Sequence, residues 1–256
     1  GLNDTLEILS NYITKLKIKK ISTGTKVFDW VVPMEWDIKD AYIITPEGKK
    51  ICWFKKNNLH LVSYSQPINK NISLDDLQKH LYSVPKKPNA IPYVTSYYKK
   101  SWGFCIKEKD RRLLKKGIYK VFIDSKFKKG FLKFAECIIR GKSKKEVFLS
   151  TYICHPSMAN NEISGPVVTT FLTRWLYKQK KLNYTYRIIF IPETIGSLVY
   201  LKLNLANLKK RVIAGFNITC IGDERAYSYL PSRDGNSIKK TYDGHKDILF
   251  KDVLIQ

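Results

Sequence analysis

The sequence predicts an α/β protein in which a parallel or mixed sheet is flanked by helices and a β-rich domain is inserted. After Gly141, buried strand patterns alternate with helical patterns, which is typical of βαβ units and a parallel sheet. From Trp36 to Ile139, short β-rich runs are separated by Gly, Pro and Asn turns. This second pattern indicates a mainly antiparallel module.

The change of pattern predicts two domains. Residues 1–35 and 141–256 are expected to form the α/β domain, and residues 36–140 the inserted β-rich domain. The first segment, residues 2–19, carries apolar residues at helical spacing, and Asp4 can cap that helix.

The α/β elements after Gly141 follow one another closely. We predict strands at 146–153, 186–191 and 211–221, with helices at 166–178 and 196–208 between them. The first of these helices begins with Pro166, which suits a first helical turn. Its apolar residues lie along one side, namely Val167, Val168, Phe171, Leu172, Trp175 and Leu176.

Composition excludes several classes of protein. The 256 residues are 44% hydrophobic, and the net charge is +24, so a large core is available and nucleic-acid binding must be considered. The basic clusters are spread along the whole chain, and lysine greatly outnumbers arginine, whereas phosphate and base recognition favours arginine. A solvated lysine-rich surface is therefore favoured over an anionic partner or a membrane surface.

The chain is expected to be a soluble cytoplasmic protein. No run of 18 apolar residues and no secretory signal pattern occur. The five cysteines are scattered, with no pair at metal-ligand spacing, which indicates reduced thiols.

Each predicted strand after Gly141 ends at a potential metal ligand. The first strand leads to His155, the second to Glu193, and the third to Asp223. Ligands bind beyond the carboxyl ends of strands in open α/β sheets. One imidazole and two carboxylates are donors that a catalytic Zn²⁺ accepts, so we predict a metal site at this edge.

A polar loop, residues 158–165, joins the first of these strands to its helix, and it can supply a further side chain. Either Asn161 or Glu162 is expected to contribute. The backbone N–H groups where the helix begins favour a negatively charged ligand.

Other candidates are weaker. Cys154 is next to His155, but adjacent strand residues point to opposite faces, which disfavours a nucleophile there. His60 and His80 are expected to be structural, and His245 reaches the site only if its tail folds back.

Several long strings of residues resemble a bacterial family of aminopeptidase-like proteins that is often associated with surface-polysaccharide biosynthesis genes. The resemblance covers nearly the whole chain. The strings lie at residues 27–36, 88–98, 154–165, 191–197 and 221–228.

The resemblance implies a zinc-exopeptidase-like fold and a metal site. His155 matches the first ligand, Asn161 stands at the place of a bridging aspartate, Glu193 matches the glutamate region, and Asp223 matches the second aspartate. One or two Zn²⁺ ions are implied. Because Asn161 is neutral, a single-metal site is favoured over a two-metal site.

The implied function is metal-dependent hydrolysis of an amide or peptide bond, with Glu193 as metal ligand or general base. The substrate is expected to be a small peptide or another amide-bearing molecule, in surface-polysaccharide metabolism. The alternative is a catalytically inactive binding or scaffold protein that retains the peptidase fold.

Overall fold

The computed structural model describes residues 1–96 and 98–224, and they form two compact units. Unit 1 contains Gly1–Lys20 and the described residues from Lys133 onward, whereas unit 2 contains Ile21–Leu132. Sequence analysis set the boundaries later in the chain, after residues 35 and 140. The difference arises because the residues near 131–139 have β-forming character in either domain, so composition does not reveal which sheet they join.

The elements are as follows. The helices are α1 (Leu2–Tyr12), α2 (Leu74–Gln78), α3 (Glu108–Arg111), α4 (Gly165–Lys178) and α5 (Ile195–Arg211). The strands are β1 (Lys17–Ser22), β2 (Lys26–Val27), β3 (Trp30–Val31), β4 (Glu35–Ile44), β5 (Lys50–Ile51), β6 (Ile68–Ser73), β7 (Leu81–Tyr82), β8 (Phe104–Cys105), β9 (Ile118–Lys128), β10 (Phe131–Ile139), β11 (Glu146–Tyr152), β12 (Thr185–Ile191) and β13 (Val212–Asn217).

A five-stranded mixed sheet has the order β1-β10-β12-β11-β13. β11 lies between β12 and β13 and pairs with both in parallel, while β10 pairs with β12 in antiparallel orientation. The three strands predicted to be parallel are therefore parallel neighbours, and their carboxyl ends meet at one edge of the sheet.

The first helix is shorter than predicted. α1 ends at Tyr12 because Ile13 has an extended backbone, with φ −124° and ψ 92°, and β1 follows at Lys17. Leu6 and Leu9 of α1 are buried with Leu176 of α4 and Phe190 of β12 in the core of unit 1.

The buried side of α4 coincides only in part with the apolar side that the sequence pattern indicates, since Leu176 is buried but other members of that side are exposed. Phe171 is 66% exposed and Trp175 is 57% exposed, whereas Thr170 and Thr173 are buried. The hydroxyls of these two threonines donate hydrogen bonds to the backbone carbonyls four residues earlier. A threonine bonded in this way is compact and has no unpaired hydroxyl donor, so it can face the sheet.

Unit 2 contains a four-stranded antiparallel sheet in the order β5-β4-β9-β6, as the turn-rich pattern predicts. His60 and His80 belong to this unit. His60 Nδ1 lies 2.8 Å from the carbonyl oxygen of Cys105, and the His80 ring stacks on Trp102 at 3.7 Å between centroids. Both histidines thus have structural partners within unit 2.

A buried charge cluster stabilises the sheet of unit 1. Arg187 on β12 donates two hydrogen bonds to Glu146 on β11, at 2.6 and 3.0 Å, and one to Glu136 on β10, at 2.6 Å. The Tyr200 hydroxyl of α5 also donates to Glu136. Burial raises the pKa of Glu136, but the hydrogen bonds from Tyr200 and Lys19 outweigh it and hold that pKa below its usual value.

No helix in the described ranges has both the length and the apolar character needed to cross a membrane.

We expect Arg187→Met to lower the free energy of unfolding by about 3–5 kcal/mol, because it removes the buried cation between Glu136 and Glu146 and leaves them only the partly exposed Lys19 and Arg211 as cationic partners. Chemical denaturation followed by far-UV circular dichroism measures the change. Lys209→Met removes an exposed positive charge from α5, and it should change stability by less than about 0.5 kcal/mol. Equal stability of the two variants would contradict a stabilising role for the cluster.

Candidate metal centre

The site is built on the ends of the parallel strands. Tyr152, the last residue of β11, is in register with Ile191, the last residue of β12. The Ile153 N–H donates to the Ile191 carbonyl at 3.1 Å, so the two chains leave the sheet side by side. His155 follows the first strand and Glu193 follows the second.

His155 lies between two carboxylates. Its Nδ1 is 3.1 Å from Glu162 Oε2, and its Nε2 is 3.2 Å from Glu193 Oε2. The side chains of His155 and Glu162 are 12% and 13% exposed, whereas that of Glu193 is 53% exposed. A neutral imidazole has one N–H donor and can satisfy only one of two ionised carboxylates. If both carboxylates are ionised, the contact at the other ring nitrogen needs a proton or a bound cation between the two groups.

Cys154 also belongs to this cluster. One donor atom each from Cys154, His155 and Glu193 lie within 4.8 Å of one another. The Cys154 sulfur accepts the Glu193 N–H at 3.1 Å and lies 3.4 Å from His155 Nδ1. The expectation that Cys154 points away from the site is wrong, because β11 ends at Tyr152 and side chains alternate only within a strand.

The Cys154 thiol is not an activated nucleophile in this arrangement. Burial raises its pKa to about 12, with a further increase from the nearby carboxylates of Glu162 and Glu193. Reactive cysteines have lowered pKa values and positively charged surroundings instead.

A π-helical turn at Asn160–Ser164 precedes α4 and holds the segment that follows β13. Asn160 Oδ1 accepts the Gly222 N–H at 2.8 Å, and Ser164 Oγ accepts the Ile221 N–H at 3.0 Å. A Cβ atom on Gly222 would lie 2.9 Å from the Ser164 Cβ, so only glycine permits this close approach. Asp223, which is half-buried, is thereby held next to the turn.

The same turn carries two buried oxygens that have no hydrogen-bond partner in the described structure, Asn161 Oδ1 and Glu162 Oε1. The Asn161 amide nitrogen lies 3.6 Å from the Cys220 sulfur. Burial raises the pKa of Glu162, and its contacts with His155 lower it in part. Unpaired buried oxygens are costly, and a cation or an ordered water satisfies them.

Each of these three loops contains one of the six non-glycine residues with positive φ in the described part of the chain. Ser157 (φ 61°), Thr194 (φ 58°) and Cys220 (φ 53°) have positive φ, and they follow β11, β12 and β13 respectively. Positive φ is unfavourable for a β-branched residue such as Thr194. Such strain is found preferentially at functional sites.

The structure brings some of the predicted residues together. His155 and Glu193 are in direct contact, and Asn161 and Asp223 lie on two segments that are bonded to each other. Among the described residues, Asp223 is not a member of the three-donor cluster. His245 lies outside the described residues.

Sequence reasoning placed the Cys154 side chain on the opposite face from His155. It named Glu162 only as an alternative to Asn161 and did not pair it with the imidazole. The sequence does contain evidence for Glu162. It is the acidic residue of the loop that leads from β11 into α4, and it directly follows the neutral Asn161.

The sheet, its helices and the loop cluster define a fold of the zinc aminopeptidase class. BSAP, a zinc aminopeptidase from Bacillus subtilis, matches with a TM-score of 0.59 over 86% of this chain and 63% of BSAP, at 14% sequence identity. At that identity the similarity is one of fold alone. It confirms the predicted α/β class.

The chain belongs to the family whose model is described as "Domain of unknown function (DUF4910)", which matches residues 1–244. A Clostridium acetobutylicum protein named "Putative polysaccharide biosynthesis protein with aminopeptidase-like domain" is 43% identical over 237 residues, covering 93% of this chain and 54% of that protein. A crystal structure described as "putative peptidase" from that species has a TM-score of 0.82 at 44% identity, covering 87% of this chain and 52% of its own. The chain thus spans about half the length of these relatives, and the resemblance to aminopeptidase-like proteins is confirmed.

Proposed function

We propose that this chain carries the site of a metal-dependent hydrolase that cleaves an amide or peptide bond. The observation that carries the proposal is the contact of His155 Nε2 with Glu193 Oε2 at 3.2 Å, at the carboxyl ends of parallel strands. The zinc aminopeptidase-like fold supports the reaction class, and the residues of the site support the chemistry.

The residues present fit one divalent ion. Adjacent ligands at zinc-like bond lengths lie roughly 3.3 Å apart around a tetrahedral ion, which agrees with the measured separation of 3.2 Å between Nε2 and Oε2. The unpaired Asn161 Oδ1 supplies a further neutral oxygen donor. We propose that His155, Asn161 and Asp223 bind Zn²⁺, with Glu193 next to His155 Nε2 as either a further ligand or the general base.

When bound, the ion supplies Lewis-acid polarisation of the scissile carbonyl. Glu193 is the more exposed of the two carboxylates on His155, so water reaches it directly. Where Glu193 is the general base and not a ligand, its carboxylate takes a proton from the attacking water and returns it to the leaving amine. α5 begins at Ile195, two residues after Glu193 and with Thr194 between them, and the N–H groups of its first turn favour the negative charge that develops on the carbonyl oxygen.

The proposed substrate carries an amide or a free amine on a peptide or an amino-sugar derivative. The name of the C. acetobutylicum relative, which refers to polysaccharide biosynthesis, supports the inclusion of amino-sugar amides. Aminoacyl amides and N-acetylated amino sugars are therefore the compounds to test first.

We expect the metal-stripped protein to take up about one Zn²⁺ per chain, because the site offers a single set of donors. Elemental analysis after dialysis against Zn²⁺ measures this. His155→Ala should lose the ion, while His80→Ala, in unit 2, should retain it. Equal metal content in His155→Ala and in the unsubstituted protein, with unchanged circular dichroism, would remove the proposed site.

We expect Glu193→Gln to lower kcat/KM by about 10²–10⁴-fold, because glutamine cannot accept the proton of the attacking water. Steady-state assays on the aminoacyl and acetylated amino-sugar panel, with added Zn²⁺, measure the effect. Glu7→Gln removes an exposed carboxylate from α1 and should leave kcat/KM unchanged. Turnover that survives Glu193→Gln at its original rate contradicts the assigned role.

A second candidate function is favoured by Asn161. Asn161 is neutral, and it stands at the position where the resemblance implies a bridging carboxylate. Without that carboxylate, hydrolysis by a pair of metal ions is disfavoured. The alternative is a binding or scaffold protein that keeps the fold and the ion. Zinc uptake without turnover on any member of the panel would favour this alternative.

A further inference from the structure

Glu162 is the deeply placed partner of His155, and the proposed metal ligation gives it no role. It follows Asn161 in the π-helical turn, and its Oε2 lies 3.1 Å from His155 Nδ1. We propose that Glu162 is a positioning residue, which keeps the imidazole proton on Nδ1 so that the lone pair of Nε2 faces Glu193 and the metal. This inference rests on the proposed metal-dependent function.

The direction of the hydrogen bond follows from the chemistry of the two groups. An ionised carboxylate only accepts hydrogen bonds, so Nδ1 must be the donor. A neutral imidazole that donates from Nδ1 presents an unprotonated Nε2, which is the form that binds a metal. The competing neighbour of Nδ1 is the Cys154 sulfur at 3.4 Å, which is a weak acceptor.

The exposure of the two carboxylates also separates their places on the ring. The side chain of Glu162 is 13% exposed, so this carboxylate needs a hydrogen-bond partner within the protein. The side chain of Glu193 is 53% exposed, so the Nε2 side of the ring is the side that solvent and an ion can reach. Glu162 therefore fits the Nδ1 side and the metal fits the Nε2 side.

The turn that carries Glu162 is fixed on both sides. Asn160 and Ser164, which flank it, bind the backbone N–H groups of Gly222 and Ile221. Glu162 is thus held at a defined place opposite Nδ1. Metal-ligating histidines ordinarily donate the other ring N–H to a carboxylate, and loss of that carboxylate weakens metal binding by about 10–100-fold.

The test compares zinc affinity, measured by competition with a chromophoric chelator, for the unsubstituted protein, Glu162→Ala and Glu162→Gln. We expect Glu162→Ala to raise the Kd by about 10–100-fold. Glu162→Gln should raise it less, because the amide oxygen still accepts the Nδ1–H bond. Glu7→Ala, on the exposed side of α1, is the matched control and should not change the Kd.

A second measurement separates positioning from a general effect on folding. The ¹⁵N-edited NMR spectrum of the zinc-loaded protein should contain a slowly exchanging Nδ1 proton on His155. That proton should remain in Glu162→Gln and exchange rapidly in Glu162→Ala. If Glu162 contributes only to stability, the Nδ1 proton should exchange equally fast in both variants. That result would overturn the inference.

Two further outcomes contradict the inference while the proposed function stands. In the first, the unsubstituted protein binds zinc and Glu162→Ala binds it equally well. In the second, both Glu162 variants lose zinc as completely as His155→Ala, which would make Glu162 a ligand. If the unsubstituted protein binds no zinc, the proposed function fails, and the inference fails with it.

Discussion

The imidazole of His155, held by one carboxylate on each ring nitrogen, is the interaction on which the site depends. Its contacts with Glu162 and Glu193 measure 3.1 and 3.2 Å, and one neutral ring cannot donate to both. Either a proton or a bound cation must therefore lie between the ring and one carboxylate. The donor cluster supports the metal site proposed above, and the zinc aminopeptidase-like fold agrees with it.

The scaffold supplies that contact through three constraints. The register of β11 with β12 places the loops of His155 and Glu193 side by side. The buried cluster around Arg187 joins β10, β11, β12 and α5 nearer the amino ends of β11 and β12. The bonds from the π-helical turn to Ile221 and Gly222 fix the third loop. Each of these loops contains one residue with a strained backbone of positive φ, namely Ser157, Thr194 or Cys220.

Sequence patterns predict the order of the α/β elements and the strand ends that carry His155 and Glu193, because strand and helix periodicities differ clearly. They do not reveal that the alternation of side chains along β11 stops at Tyr152. The Cys154 side chain was therefore predicted to point away from the site. Part of the buried face of α4 was also missed, since Thr170 and Thr173 become suitable core residues only after bonding to their own helix. Side-chain pairs such as His155 and Glu162 depend on loop geometry, which local propensity does not encode.

A crystal structure of the zinc-loaded protein, with anomalous scattering recorded at the zinc edge, tests the central claim most directly. The account predicts one anomalous peak about 2.0–2.2 Å from His155 Nε2, on the side of the ring that faces Glu193, with Glu162 still bonded to Nδ1. A peak at another place in the chain, or a His155 ring that keeps both carboxylate contacts with no metal beside it, would contradict the account.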